Sequence, residues 1–557
     1  MLAVQIEFLP TPALGWALLL LATAWTLRAV RAGEAAPTLG WKWWVLVAVM
    51  MLRFRWPMLW VAHALNPDES QLIAGAMTLR HDPVFWRSVD GATAGPVEYY
   101  PLLPAAWADG FASYVIARLI AFAVVLGTAV FAGETLALLG GAALARVALL
   151  PALAAAAFTT DPDFAHYSTE LMPMLLVAAA AYAAVRQDRA PSAGWPWLIG
   201  LLLGGVIWAK FQVVPIAAVL WALVALHEFR SGRARSLLPL VAGALVPALL
   251  CFGMVALTGQ TEHMMVPYFL HNFDYVSGPQ FPWKESVPGQ WKNALTDGYL
   301  AFWFAGAMIF LVPFVLWAIR QAPAATRRIA LVATLLFGVG LFCALVPRRL
   351  TAHHLLLVPL PLLWLTGAVL ALAWTHEITA AARRKRLLIA GLCLVSGLVP
   401  QMALRAAGYN PFANMNAATD KPTRRQLVAL VREFSDPGEP IAIWGWRCGL
   451  YVEAGRRQAT RQAQTENQIY PTPFRPYFLR RYLEDLQAAN PPVFADAVGP
   501  GNFAYGDRNV AHESFPPLRA WVQDRYTEIA DLDGTRLYVR NDRLAARKSA
   551  LSVPAHP

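Results

Sequence analysis

Long apolar runs separated by short polar connections make up the first 404 residues. A helix of about 20 apolar residues spans the hydrocarbon core of a bilayer, and most of these runs approach that length. The pattern therefore predicts a polytopic α-helical membrane protein with about 12 spans. The predicted spans cover residues 12–30, 43–65, 112–132, 136–158, 169–186, 196–209, 211–226, 236–257, 298–319, 327–346, 353–375 and 387–403.

The pattern changes after Leu404, where polar and charged residues increase and the long apolar runs stop. Arg424–Phe434 and Tyr477–Leu486 have helical periodicity, while PIAIWGW, PPVFADAV and RLYVRND have the character of short strands. We therefore predict two domains. Residues 1–404 form a transmembrane domain with an outer-face loop, 66–110, and residues 405–557 form a small soluble α/β domain.

Composition agrees with a membrane protein, because 57% of the residues are hydrophobic and 15% are charged, against about 25% charged in soluble proteins. The net charge of +11 does not indicate a nucleic-acid partner, since most basic residues lie in short connections beside apolar runs. Of the four cysteines, three lie within apolar runs, so the sequence supports neither a disulfide framework nor a zinc site.

The basic connections also predict the orientation of the chain, because cytoplasmic loops are enriched in arginine and lysine. Loop 66–110, the segment Asp161–Glu170, the loop 258–296 and the tail after residue 404 then share the outer face. We expect a multi-pass protein of the cell inner membrane with its active site and C-terminal domain on the periplasmic side. The connections predicted to be cytoplasmic contain Arg28, Arg186, Arg230, Arg327 and Arg383.

Two acidic segments on the predicted outer face carry candidate chemistry. Asp68 and Glu69 stand just after an apolar run, where a carboxylate can be tuned to act as a base. The second segment contains a turn signal, Asp-Pro-Asp, so its aspartates are either structural or part of an oxygen-rich cation site with Asp68. The sequence requires no cofactor, and a divalent cation is possible. The residues of this second segment are Asp161, Asp163, His166 and Glu170.

Two groups of cations lie on the same face. The apolar runs 196–209 and 211–226 are too short to cross a bilayer comfortably, and they predict a hairpin with Lys210 at its outer tip. Lys210 either extends to the membrane surface or binds a phosphate. The segment 347–354 places Arg348, Arg349, His353 and His354 before a span, where they require an anionic partner, either bulk lipid headgroups or one specific lipid phosphate.

The order of these motifs resembles the GT-C superfamily of membrane glycosyltransferases. The motifs are the outer-face Asp-Glu, EYYPLLP, HYSTELMP, AKFQ, RRLTAHHLLLVPLPLL and, in the tail, IAIWGWRCGLYVEAGRRQATR. The sequence is most similar to the bacterial branch related to protein O-mannosyltransferases and the lipid A aminoarabinose transferase. An extra span before the span that precedes the Asp-Glu loop departs from the simplest pattern of the family.

The resemblance implies transfer of a hexosyl or pentosyl unit, with inversion, from a polyprenyl-phosphate donor to a lipid, glycan or protein acceptor in the cell envelope. In that scheme Asp68 is the base and Glu69 orients the base or the acceptor. Lys210, Arg348 and Arg349 hold the donor phosphate, and His353 and His354 are further candidates. The alternatives are a transporter of lipids or polymers and another lipid-phosphate-dependent envelope transferase.

Overall fold

The structure is a computed structural model and describes residues 12–278, 281–296, 298–318, 323–374, 379–408 and 421–552. Helices account for most of it. Up to residue 406 they are α1 Pro12–Ala32, α2 Trp41–Leu59, α3 Pro67–Leu79, α4 Pro96–Tyr99, α5 Leu103–Ala106, α6 Phe111–Gly140, α7 Ala142–Phe158, α8 Leu171–Arg189, α9 Gly194–Val206, α10 Val214–Arg230, α11 Leu237–Thr258, α12 Thr261–Met264, α13 His271–Ser277, α14 Trp283–Thr296, α15 Gly298–Ala318, α16 Ala324–Leu345, α17 Pro359–Ala373 and α18 Ala380–Ala406.

Each of the twelve predicted apolar runs overlaps one of these helices, and the chain is a multi-pass membrane protein. Within the described residues, seven helical segments are long and apolar enough to cross a membrane, and three apolar helices are shorter. The number of crossings therefore stays a prediction. The second helix ends at Leu59, earlier than the apolar run 43–65 suggested, and the run 353–375 begins with a 3-10 helix, Ala352–Leu357.

The predicted hairpin is present, with α9 and α10 joined by Lys210 and a 3-10 turn, Phe211–Val213. The short helix α9 packs tightly against α11 through glycines. A Cβ atom on Gly200 would lie 2.1 Å from the carbonyl oxygen of Leu240, and one on Gly243 would lie 2.1 Å from that of Trp197. Close contact between small residues is a common way for membrane helices to associate, and here it fixes the position of the hairpin.

The tail contains a five-stranded sheet of strand order β2-β1-β3-β5-β4. Strand β1 is parallel to β2 and β3, whereas β3 and β4 are antiparallel to β5. One face packs on Leu427 and Val431, and the other packs on Tyr482 and Leu518. The elements are α19 Pro422–Phe434, β1 Pro440–Gly445, α20 Gly449–Ala454, β2 Arg457–Gln458, α21 Glu466–Ile469, α22 Arg475–Ala489, β3 Val493–Ala497, α23 Pro516–Arg525, β4 Tyr526–Leu532, β5 Thr535–Arg540 and α24 Asn541–Ser552.

The tail docks on loop 66–110 through a buried ion pair. The carboxylate of Asp90 accepts hydrogen bonds from Arg481 and from the amide of Gln462, the latter at 3.0 Å. The backbone N–H of Asp90 donates to the carbonyl of Arg461 at 2.7 Å. Ala74 of α3 also lies in the apolar core formed with the tail. These contacts place the tail directly over the helix that carries Asp68.

Candidate active site

Asp68 lies in the first turn of α3, the helix that follows α2 in the chain. The side chain of Asn66 caps this helix by accepting a hydrogen bond from the N–H of Asp68 at 2.8 Å, and Pro67 occupies the first helical position. Both residues are favourable for starting a helix, so the sequence itself sets the position of Asp68. Its side chain keeps 30% of its surface exposed and is accessible to a reactant.

His353 lies between two carboxylates. Its Nε2 is 3.7 Å from Asp68 Oδ2, and its Nδ1 is 3.8 Å from Asp163 Oδ2. Asp163 is held in turn by a hydrogen bond from the side chain of Asn66. Burial raises the pKa of Asp163, but the neighbouring His353 and His166 and the Asn66 bond outweigh burial and bring the pKa below its ordinary value. Asp163 is therefore ionised and can orient His353 toward Asp68.

Lys210 is buried against Glu170. Its ammonium group donates to the Glu170 carboxylate and, at 2.6 Å, to the hydroxyl of Thr169, while Ser168 also donates to Glu170. The sequence left open whether Lys210 binds a phosphate or extends to the membrane surface, and in the structure its ammonium group is paired with a carboxylate. Extension of this side chain to the membrane surface, the alternative from the sequence, does not match its buried position.

The cluster around Glu170 contains atoms of the type that bind divalent cations. Ligand atoms of Glu170, His353 and His354 lie within 4.8 Å of one another, and all three residues are buried. Imidazole and carboxylate together suit zinc and similar metals. However, the ammonium group of Lys210 already occupies Glu170, so a metal there would require this ion pair to open.

Glu98, the first residue of the EYYPLLP motif, is a buried acid near this cluster to which the sequence analysis gave no role. Its carboxylate accepts a hydrogen bond from Tyr167 at 3.2 Å. Burial raises the pKa of Glu98 well above its usual range, although Lys210 opposes the shift. The segment before Glu98 runs against the hairpin tip, and a Cβ on Gly95 would lie 2.1 Å from the carbonyl of Trp208. Loop 66–110 and the hairpin are thus in direct contact.

Arg349 faces the same region from the other side. Its guanidinium group lies 3.7 Å from the ring centre of Tyr275 and 3.5 Å from Glu466, a residue of the tail. Burial raises the pKa of Tyr275, the neighbouring Arg349 opposes this shift, and the charges of Glu466, Asp68 and Glu170 add to it. Burial likewise raises the pKa of Glu466 against the effect of Arg349. The tail therefore contributes a side chain to the site.

Arg348 does not share this arrangement. Its backbone adopts φ 51°, a left-handed conformation that is uncommon outside glycine, and its guanidinium group lies 5.3 Å from the ring centre of Trp283. The two arginines that were expected to act together thus lie over different aromatic rings. Of the pair, Arg349 is the one placed among the acidic residues of the site.

Glu69 is fully buried, unlike its neighbour Asp68. Its two carboxylate oxygens accept hydrogen bonds from Nε and Nη2 of Arg118, at 2.9 and 3.0 Å. Arg118 also donates to the carbonyl of Val61 at 2.6 Å and fixes the segment between α2 and α3. We expected Glu69 to orient either the acceptor or the base. Its burial does not allow contact with an acceptor, which leaves positioning of the Asp68 helix.

The remaining residues of the second acidic segment shape the backbone. Asp161 caps the short 3-10 helix Pro162–Phe164 by accepting a hydrogen bond from the N–H of Asp163 at 2.9 Å. This contact corresponds to the structural role that the sequence analysis offered for the Asp-Pro-Asp turn. His166 Nδ1 lies 2.9 Å from the carbonyl oxygen of Pro162, and its ring faces that of His353 at 6.4 Å. His166 thus lies beside the site, and Asp161 supports Asp163.

An apolar cavity of about 130 Å³ reaches Glu170 from within the helix bundle. A second apolar cavity of about 300 Å³ shares four of its lining residues. The shared residues are Phe164, Leu300, Trp303 and Pro359. Together the cavities form an apolar space below the polar cluster, of the kind that accommodates hydrocarbon.

The helix bundle and the sheet-containing tail together have the GT-C fold. The structure is similar to that of ArnT from Cupriavidus metallidurans bound to undecaprenyl phosphate. The similarity has a TM-score of 0.60 at 12% identity and covers 89% of this chain and 98% of that chain.

The apo state of the same ArnT matches with a TM-score of 0.55 at 12% identity, over 89% of this chain and 97% of that chain. An oligosaccharyltransferase from Archaeoglobus fulgidus, tethered with an acceptor peptide, gives a TM-score of 0.43 at 12% identity over 90% of this chain and 74% of that chain. No protein-family model matches the chain, and no curated protein matches it in sequence.

Proposed function

We propose that this protein transfers a sugar from a polyprenyl-phosphate donor to an envelope acceptor, on the outer face of the inner membrane and with inversion at the anomeric carbon. The observation that carries the proposal is the position of Asp68, which is partly exposed and lies 3.7 Å from His353, a member of the buried cluster of Glu170, His353 and His354 in which Lys210 pairs with Glu170. The similarity of the fold to an ArnT structure that contains undecaprenyl phosphate supports a lipid-linked donor.

In the proposed reaction, Asp68 takes the proton of the acceptor hydroxyl as its oxygen attacks the anomeric carbon. The bond between that carbon and the donor phosphate oxygen breaks, and the polyprenyl phosphate leaves with the electron pair. Attack from the face opposite the phosphate gives inversion. The apolar cavities accommodate part of the polyprenyl chain, which directs the phosphate toward Glu170 and Lys210.

The leaving phosphate gains negative charge, and positively charged groups that are already in place stabilise it. Lys210 and Arg349 are the proposed phosphate ligands, with His354 beside them. Both Lys210 and Arg349 are paired with a glutamate, so phosphate binding requires a rearrangement in which each cation exchanges a carboxylate for a phosphate oxygen. His353 acts on Asp68 rather than on the phosphate, because its two nitrogens face Asp68 and Asp163.

A divalent cation is compatible with this site but is not part of the proposed steps. Glu170, His353 and His354 would hold it, and it would supply additional positive charge near the leaving phosphate. Glu170 is already paired with Lys210, and His353 faces Asp68 and Asp163, so the proposed steps use only the side chains of the protein.

The test is transfer by the purified protein from a polyprenyl-phosphate sugar, with the sugar identified beforehand by mass spectrometry of envelope glycans and lipids in a deletion strain. We expect Asp68→Asn to lower turnover by about 10²–10⁴-fold, the typical effect of losing a general base, without lowering the melting temperature. Asp82→Asn is the matched control, since Asp82 belongs to the same loop but pairs with Arg87 at the surface. Wild-type turnover in Asp68→Asn would refute the assignment of the base.

The same experiment separates the alternatives. A lipid transporter would move the labelled lipid without cleaving the bond between sugar and phosphate, whereas a glycosyltransferase releases polyprenyl phosphate in a fixed ratio to product. A different lipid-phosphate transferase would move a phosphate-containing group, which would change the mass of the product by more than the sugar.

A further inference from the structure

The carboxyl ends of two strands of the tail open onto a cavity beside α3. Strands β1 and β3 are parallel, so Trp446 after β1 and the loop 499–506 after β3 lie at the same edge of the sheet. The turn at Asp533 leads into β5, which is antiparallel to β3, and therefore reaches this edge as well. Ligands of α/β domains bind outside the carboxyl ends of the strands, and a cavity of about 250 Å³ lies there.

The first turn of α3 forms another wall of this cavity. Pro67 and Ser70, which stand on either side of Asp68 in the sequence, both line it. Cys448 lines it too, and the negative charge of Asp68 adds to the rise in the pKa of its thiol that burial causes. The cavity therefore adjoins the proposed base. We call it the tail cavity and define it by Pro67, Ser70, Trp446, Phe503 and Asp533.

Two aromatic side chains line the tail cavity. The ring of Phe503 is 53% exposed and lies 5.3 Å from the ring of Trp446. The Nε1–H group of Trp446 is buried and has no hydrogen-bond partner among the residues that the structure describes. A buried donor of this kind costs free energy until an acceptor oxygen pairs with it. An exposed ring beside such a donor suits a ligand that offers both an apolar face and oxygen atoms.

The charged groups of the tail cavity are paired with one another. Asp533 accepts hydrogen bonds from Lys421 at 3.1 Å and from Nη2 of Arg447 at 3.0 Å. Glu453 accepts from Nε of Arg424 at 2.8 Å. Each lysine and arginine that lines the cavity thus has a carboxylate partner. A phosphate would compete with these carboxylates, whereas an uncharged hydroxyl can accept from the cation and donate to the carboxylate of the same pair.

We propose that the tail cavity binds a sugar ring of the acceptor, so that the acceptor is a glycan. One face of a pyranose ring presents C–H groups that pack on aromatic side chains, and its hydroxyl groups both donate and accept hydrogen bonds. Phe503 and Trp446 supply the apolar surface, and the paired charges supply partners for the hydroxyl groups. Because the cavity adjoins Asp68, a hydroxyl of the bound glycan is presented to the proposed base.

The role of this glycan as acceptor rests on the proposed glycosyl transfer, but its binding does not. Binding is therefore measured first, with the purified full-length protein and without any donor. The probe is the pool of oligosaccharides released by mild acid from the envelope of the deletion strain, in which the acceptor stays unmodified. Retained oligosaccharides are identified by native mass spectrometry.

We expect the wild type to retain oligosaccharides and Phe503→Ala to weaken their retention about tenfold, through loss of one aromatic contact. Because the Phe503 ring is more than half exposed, this variant should keep the melting temperature of the wild type. Trp446→Phe keeps a ring and removes only the Nε1–H group, so it should weaken retention less. Tyr470→Ala is the matched control, since Tyr470 is a 39% exposed aromatic residue of the tail that does not line the cavity.

Two results would overturn the proposal. One is failure of the wild type to retain any oligosaccharide, and the other is equal retention by the wild type and Phe503→Ala. A digest of periplasmic proteins from the same strain serves as the competing probe. Retention of peptides in place of oligosaccharides, lost in Phe503→Ala, would make the ligand a protein segment and also overturn the proposal.

Kinetics then test the role as acceptor. We expect the KM for the glycan acceptor to rise about tenfold in Phe503→Ala, with the donor KM unchanged. If oligosaccharides are retained through Phe503 but no transfer occurs, the proposed function fails and the glycan site stands. If transfer occurs and Phe503→Ala leaves the acceptor KM at the wild-type value, the proposed function stands and this inference fails.

Discussion

Replacing Glu69 by alanine removes the carboxylate that pairs with Nε and Nη2 of Arg118 at 2.9 and 3.0 Å. Both side chains have 0% exposure, so water cannot take the place of the lost partner. Arg118 would retain hydrogen bonds to main-chain carbonyls such as that of Val61, but its charge would be uncompensated. Breaking a buried pair in this way typically costs about 3–5 kcal/mol of stability.

The assay is thermal unfolding of purified variants in detergent, followed by size-exclusion chromatography. We expect a large loss of thermostability for Glu69→Ala and a smaller loss for Glu69→Gln, which keeps a hydrogen-bond acceptor. Asp82→Ala is the matched control, since the Asp82–Arg87 pair lies at the surface of the same loop and such pairs contribute about 0–1 kcal/mol.

Asp68→Asn and Glu69→Ala change two adjacent carboxylates, and we expect them to have opposite effects on thermostability and turnover. Asp68→Asn should keep its stability and lose turnover, whereas Glu69→Ala should lose stability first. If Glu69→Ala melts like the wild type but is inactive, Glu69 acts on the reactants and its assignment as a positioning residue is wrong.

Two further predictions concern the groups around Asp68. Asp163→Asn removes the charge that faces His353 Nδ1, and we expect kcat to fall about tenfold with donor KM unchanged; an effect on KM alone would contradict a role in orienting the base. For Glu466, burial raises its pKa, so its carboxylate gains a proton as the pH falls and stops competing for Arg349. Donor KM should therefore decrease between about pH 8 and about pH 5 in the wild type and stay constant in Glu466→Gln, and the same pH dependence in both would refute this.

Much of the helical framework could be predicted from apolar periodicity, because spans are long and their composition is distinctive. The hairpin around Lys210 is an example, since two short apolar runs indicated both its helices and the residue at its tip. The sequence could not show which carboxylate Lys210 meets. Glu170 lies 40 residues earlier, and only packing of α8 against α9 brings the two together. The same holds for Glu69, whose partner Arg118 lies 49 residues later within an apolar run.

In the tail, the three strands β1, β3 and β5 were predicted, and two strands, the two-residue β2 and the longer β4, were missed. Strand β1 is buried at every position, whereas β4, Tyr526–Leu532, is exposed at several positions and contains Glu528 and Asp531. An edge strand of this kind has too little alternation of apolar and polar residues to be recognised from the sequence. The contribution of Glu466 to the site was missed for another reason, because it depends on how the tail docks on loop 66–110.

That docking has a consequence for the synthesis of the protein. Asp90 and Arg481 are 391 residues apart, and the chain is made from its N-terminus. At about 5–20 residues per second, Asp90 waits roughly 20–80 seconds for its partner. During that interval the tail does not yet cover the segment around Asp68, and Asp90 stays hydrated at the membrane surface rather than buried. The candidate site is therefore completed last, and a nascent chain stalled before Arg481 contains the described helices up to Ala406 but lacks the contact that docks the tail.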